Sequence, residues 1–153
     1  MNKSANITIF LDIDGVLNTR DSWKTPFQLN DKCIQAFCTF LLKNYDNPDI
    51  VLTSSWKNGY SSLPENETEQ LGELRSKLAR FGIKINGRTR TLQNRMQEIN
   101  DYIAKHEMEY YAIIDDDPAE YSADDLKKVL LIDSRTGFTE AQGKKIKWNK
   151  VKK

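Results

Sequence analysis

The stretch Ile7-Thr8-Ile9-Phe10-Leu11-Asp12-Ile13-Asp14-Gly15 decides the reading of this chain. Its first five residues are apolar or β-branched, with no regular polar alternation. A run of that kind suits a strand covered on both faces, as in a parallel sheet. It stops on two carboxylates spaced two apart and a glycine, so the chain turns where charge begins. The strand run is read as Ile7–Ile13, and four further apolar runs follow: Ile50–Thr53, Gly82–Ile85, Tyr110–Ile114 and Val129–Ile132.

Helical periodicity fills the intervals. Asn30–Asn44 sets Ile34, Phe37, Phe40 and Leu41 on one face, and Glu67–Arg80 does so with Leu71, Leu74 and Leu78, followed by Phe81. Leu92–His106 uses Met96, Ile99, Tyr102 and Ile103, and a short helix is expected over Ala123–Lys128. Asp31 and Thr68 stand where N-caps belong. Strands alternating with helices predict an α/β three-layer sandwich around a five-stranded, mainly parallel sheet.

The 153 residues suit one domain. Apolar residues make up 39% and charged residues 29%, a soluble composition with enough apolar side chains for one core. No run approaches the roughly 20 residues of a membrane span, and no secretory signal opens the chain. A cytoplasmic location is therefore expected. Cys33 and Cys38 have no zinc-spaced companions and read as reduced structural thiols. Residues 144–153, KKIKWNKVKK, hold six of the 23 basic residues and none of the 22 acids, which leaves residues 1–143 at a net charge of −5. The division expected is a domain over 1–143 and a basic C-terminal tail over 144–153. The tail is either a solvated, frayed end or a contact for phosphates.

Ligands of open α/β sheets bind beyond the carboxyl ends of the strands. There the chain offers Asp12-Ile13-Asp14-Gly15, Thr53-Ser54-Ser55 and Asp115-Asp116-Asp117, with Arg88, Arg90 and Arg95 alongside. Clustered carboxylates repel one another unless a cation neutralises them. Oxygen-only ligands suit Mg²⁺, which also takes a substrate phosphate oxygen. An Asp can attack phosphorus, and a second Asp two residues on can protonate the leaving oxygen and later deprotonate water. A hydroxyl and a cationic side chain complete a cradle for phosphoryl oxygens.

Taken together, these segments resemble the haloacid dehalogenase (HAD) superfamily. Phe10–Asn18 looks like motif I in its DxD form, Ile50–Trp56 like motif II, and Ile113–Asp117 like the DD form of motif IV. Within the superfamily the chain is most similar to small HAD domains of RNA-repair-type multidomain proteins. It shares with them Ser-Ser-Trp after strand two, the Arg95-x-x-Glu98-Ile99 helix and the Gly137-Phe138-Thr139 turn. The resemblance implies a Rossmann-like core and a Mg²⁺-dependent phosphatase. Asp12 is then nucleophile and metal ligand, and Asp14 is general acid/base with its carbonyl on the metal. Gly15 lets the chain turn, and Thr53 holds the phosphoryl group with Ser54 in support. Asp116 is the preferred motif IV ligand and Asp115 the second. The family asks for a Lys or Arg before strand four. Arg95, which begins the helix leading there, is preferred, and Arg90 is second. Lys57 is expected on the substrate side.

Each motif also has a bland reading. Asp12–Gly15 as a calcium loop would need an acid at loop position twelve, where Trp23 stands. Thr53–Ser55 and Asp115–Asp117 are types that cap helices. Trp23 and Trp56 read as packing residues, and His106 as a C-terminal cap. A bacterial receiver domain would carry its phosphorylated Asp after strand three, where Asn86-Gly87 stands. A binding-only HAD module is the remaining alternative, against which both Asp12 and Asp14 are intact.

HAD enzymes of the small-molecule type carry a cap domain after strand one or strand three. Neither interval here is long enough, so a capless, open site is expected, rimmed by Asn18–Leu29 (with Arg20, Trp23 and Lys24) and Trp56–Pro64. An open site suits a phosphate presented by a large partner. The expected substrate is a nucleic-acid end, with a free nucleotide as the alternative.

Overall fold

The computed structural model describes residues 1–19 and 28–152, except for the Pro64 side chain. In chain order the elements are β1 (Ile7–Leu11), α1 (Asp31–Asn44), β2 (Asp49–Leu52), α2 (Glu69–Ala79), β3 (Ile85–Arg88), α3 (Arg95–Lys105) and β4 (Tyr110–Asp115). Then come α4 (Ala123–Leu126), β5 (Val129–Leu131), α5 (Glu140–Gly143) and β6 (Asn149–Lys150). The sheet order is β3-β2-β1-β4-β5, all parallel, with β6 added antiparallel to β4. The order runs outward from β1 to β3 on one side and from β4 to β5 on the other. The reversal point, where a crevice opens beyond the strand ends, therefore lies between the ends of β1 and β4.

Alternate residues of β1 feed two cores, as the pleat requires. Ile9 and Leu11 join Ile34, Phe37 and Leu41 of α1 and Leu71, Leu74 and Leu78 of α2. Phe10 joins Met96 and Ile99 of α3 with Val51 and Ile113. This is the expected three-layer sandwich. No helix is long and apolar enough to cross a membrane among the described residues. Cys33 and Cys38 are free and buried.

Four local expectations are corrected. The cap of α1 is Asn30, whose side chain accepts from the Lys32 and Cys33 amides, while Asp31 pairs with Lys77 at 2.6 Å. Strand β3 begins three residues later than the apolar run. Gly82, at φ +75°, ends α2, and buried Ile83 packs as part of that stop. The polar sequence Asn86-Gly87 continues β3 because this is the sheet edge. There the register slips between Ile50 and Val51, and the Asn86 side chain accepts from the Ile50 amide at 2.8 Å.

Residues 144–152 are not a frayed tail either. Lys150 pairs with Tyr110 and Asn149 with Tyr111, and Trp148 Nε1 donates to the Tyr45 hydroxyl at 3.0 Å. The Val151 amide donates to the Glu109 carbonyl. The apolar residues Ile146, Trp148 and Val151 between the lysines pack against the two cores. The basic segment thus lies at the amino end of β4, opposite Asp115.

Candidate functional site

Strand β1 delivers Asp12 to the crevice, its amide held by the Ile114 carbonyl at 3.0 Å. The chain then turns at once: the Ile13 carbonyl accepts from the Val16 and Leu17 amides. Gly15 sits at φ +80°, and a Cβ there would overlap the Asp116 carboxylate. Only glycine satisfies both the left-handed backbone and that close approach. So the motif I turn and the motif IV carboxylate fit together through a missing side chain.

Asp12, Asp115 and Asp116 each offer a carboxylate oxygen, all within 4.8 Å of one another. Burial, then the neighbouring Asp115 and Asp116, push the Asp12 carboxyl well above the usual carboxylate range. Among the described residues Arg95 is set against these acids, and the three carboxylates together could hold a divalent cation. The donor set, oxygen only and compact, fits Mg²⁺. The three are not equivalent. Asp115 is fully buried and largely committed. Its Oδ2 accepts from Arg95 and from the Tyr121 hydroxyl (2.6 Å), and its Oδ1 accepts from the Asp117 amide. Asp115 therefore anchors Arg95, while half-buried Asp116 faces Gly15.

Asp14 is half-buried beside the trio. Its Oδ1 accepts from Trp56 Nε1 at 2.9 Å and from Asn18 Nδ2 at 3.1 Å, and Asn18 Oδ1 in turn accepts from the Gly15 amide at 2.8 Å. Two donors on one oxygen fix the carboxyl plane.

The motif II hydroxyls decide between capping and binding. Ser54 is the N-cap of the 3₁₀ turn Ser55–Gly59 but makes no side-chain cap bond. Thr53 Oγ1 and Ser54 Oγ are both buried, with no partner among the described residues. Such atoms cost about 1–3 kcal/mol each unless something meets them. Both residues line a polar cleft of about 220 Å³ together with Arg95, Asn58, Thr91 and Gln93.

Two basic residues do not behave as expected. Lys57 lines the cleft, but its ammonium is spent inside the protein. It bonds Glu98 Oε1 at 3.0 Å, Thr89 Oγ1 at 3.1 Å and the Arg90 carbonyl at 3.4 Å, at 6% side-chain exposure. Three donors meet three acceptors, so Lys57 braces the motif II turn against α3. Arg90 is 63% exposed and forks onto Asp101 of α3, away from the trio. Arg95 is the basic residue that the structure brings to Asp115.

Residues 8–142 match the family described as the HAD domain in Swiss Army Knife RNA repair proteins. The chain belongs to that family. No curated protein and no solved structure gives a match. Neither insertion point of this HAD domain has room for a cap domain: only residues 12–30 separate β1 from α1, and only 89–94 separate β3 from α3. Its late turn, Gly137-Phe138, is bonded to motif I by the Phe138 amide on the Val16 carbonyl at 2.7 Å.

Four contributors were not read as site residues from the sequence. Trp56 is buried as expected but also donates to Asp14, and Asn18 closes the same network. Tyr121 holds Asp115, and Glu98 holds Lys57. The Ser-Ser-Trp signature was the one available signal for Trp56. His106 does follow the last turn of α3, its Nδ1 2.9 Å from the Tyr102 carbonyl. The rim residues Arg20, Trp23 and Lys24 lie outside the described residues.

Proposed function

We propose that this HAD domain is a Mg²⁺-dependent phosphomonoester hydrolase that acts through a phosphoryl group transferred to Asp12, and that its substrate is a terminal phosphate of a nucleic acid. The observation that carries the reading is the pairing of a crowded, buried Asp12 with a neighbouring Asp14 whose carboxyl group is oriented by two donors, Trp56 and Asn18, on Oδ1. Asp12, Asp116 and the Asp14 carbonyl would hold Mg²⁺, which would supply positive charge for phosphoryl transfer.

The chain's own residues do the rest. An Asp12 carboxylate oxygen attacks phosphorus, the ester P–O bond breaks, and Asp14 Oδ2 gives its proton to the leaving oxygen. Asp14 then takes a proton from water as that water attacks phosphorus, which returns free Asp12 and inorganic phosphate. Thr53 Oγ1 and Ser54 Oγ donate to the equatorial oxygens, and Arg95 adds charge from the α3 side.

The substrate class is supported by the open, capless site and by the RNA-repair context in the family's description. The experiment measures phosphate release from single-stranded oligonucleotides with a 3′- or 5′-terminal phosphate, against the matching mononucleotide. Preferred turnover of the oligonucleotide, abolished by EDTA and by Asp12→Asn, is expected. Equal turnover of the mononucleotide would replace the end-processing reading by a small-molecule one. No turnover of either would make the domain a binding module.

A further inference from the structure

We propose that the groove between α3 and β6 holds the phosphodiester backbone of a single-stranded nucleic acid, and that the exposed amide face of α3 joins this groove to the cleft lined by Thr53, Ser54 and Arg95. The groove has a volume of about 490 Å³, and Lys128, Lys150 and Lys152 line it with Asn100 and Ile103 of α3. No acidic residue is in its lining. Lys150 and Lys152 are exposed, and Lys128 meets Asp125 only at 3.7 Å.

The pairing of β6 with β4 fixes these lysines on the body. A strand docking there orders less chain than one docking on a free tail, which reduces the entropic cost of binding. The charge pattern favours the same occupant. Residues 1–143 carry a net −5 while 144–153 carry only positive charge, so a polyanion is steered to this patch and repelled elsewhere.

Helix α3 supplies the path. Arg95 and Gln93 line the cleft, while Asn100 and Ile103 line the groove. At 1.5 Å per residue, Arg95 and Ile103 are about 12 Å apart along the axis, the rise of about four stacked nucleotides. Gln97 and Asn100 are exposed three residues apart, on one side of the helix, and exposed Gln93 immediately precedes its N-cap, Asn94. Their neutral amides offer donors and acceptors without repelling phosphate. The nearby Asp101 carboxylate is already paired with Arg90 and Lys105.

The direction of the strand, with its end in the cleft, rests on the hydrolase reading, but binding in the groove does not. Removing the whole C-terminal segment would strip β6 and Trp148 from the fold, so point variants are the cleaner test. Binding is read by fluorescence anisotropy with a labelled, hydroxyl-ended strand of roughly eight nucleotides, without Mg²⁺, across a salt series. Lys128→Ala/Lys150→Ala/Lys152→Ala should weaken binding about tenfold or more and flatten the log–log salt slope by about 2. Gln97→Glu/Asn100→Glu, which leaves β6 untouched, should also weaken it. Lys32→Ala/Lys84→Ala, away from the groove, should not.

In parallel, phosphate release from end-phosphorylated strands should rise with length up to about four nucleotides and then level off. Unchanged affinity and slope in the triple-lysine variant would overturn the proposal, as would equal loss in the Lys32/Lys84 control. Lysine-dependent binding to anionic vesicles in preference to the oligonucleotide would overturn it in favour of a membrane surface. Lysine-dependent strand binding with no phosphate release at any length would sustain the groove and sink the hydrolase reading. Length-independent release with lysine-independent binding would do the reverse.

Discussion

Trp56 and Asp14 stand 42 positions apart and meet across the crevice, the indole Nε1 donating to Asp14 Oδ1 at 2.9 Å. Trp56 follows β2 and Asp14 follows β1, so the parallel pairing of these strands brings the two together. Asn18 shares the same oxygen. The pair of donors orients the carboxyl group to which the proposed mechanism gives the proton transfer.

Trp56→Phe keeps most of the buried ring and deletes the donor. The account predicts a fall in kcat of about 10–100-fold, part of the 10²–10⁴-fold that general acid catalysis is worth. The loss should be larger for alkyl than for aryl phosphate esters, because an alkoxide leaving group needs the proton more. Steady-state kinetics on the two ester classes checks this. An equal loss on both would make Trp56 a packing residue only.

The crowding of Asp12 makes a second prediction, about metal and pH. Its carboxyl is held high by burial and by Asp115 and Asp116. Ionising it therefore costs more in the folded chain than in the unfolded one. Without a cation, the fold gives up stability as pH rises from the unfolded carboxylate range through the higher folded value. A bound divalent cation needs the ionised form and removes that cost. Differential scanning fluorimetry should show a larger Mg²⁺-induced gain in Tm at about pH 7.5 than at about pH 5. A gain of equal size at both would contradict it.

Much of this was legible in the sequence because buried parallel strands write their own pattern. Ile7–Leu11 and Tyr110–Ile114 are continuous apolar runs, and acids follow each directly. Strand β3 was harder, since an edge strand with a bulge tolerates Asn86 and Gly87 and looks like a loop. The basic segment misled for a related reason. Charge dominates KKIKWNKVKK, yet Ile146, Trp148 and Val151 are enough to dock it. The roles of Lys57 and Arg90 depended on partners far along the chain, Glu98 and Asp101, which no local pattern names.

The buried Lys57–Glu98 pair, at 6% and 9% side-chain exposure, ties the motif II turn to α3 one turn beyond Arg95. Lys57→Met leaves Glu98 charged and unpaired, and should destabilise the fold by about 3–5 kcal/mol. Lys57→Met/Glu98→Gln should recover part of that loss, since the glutamine can still accept from the Leu92 amide. Chemical denaturation of the two variants measures it. A double variant no more stable than the single one would show that the pair's charges do not face each other alone.

The central claim is that phosphoryl transfer runs through Asp12. Its most direct test is to mix the protein with an end-phosphorylated oligonucleotide and Mg²⁺, quench in acid within the first turnover, and locate the phosphoryl group by peptide mass spectrometry. The account predicts phosphate on Asp12, absent without Mg²⁺ and absent in Asp12→Asn, which releases no phosphate. Phosphate on another residue, or Mg²⁺-dependent release retained by Asp12→Asn, would contradict it.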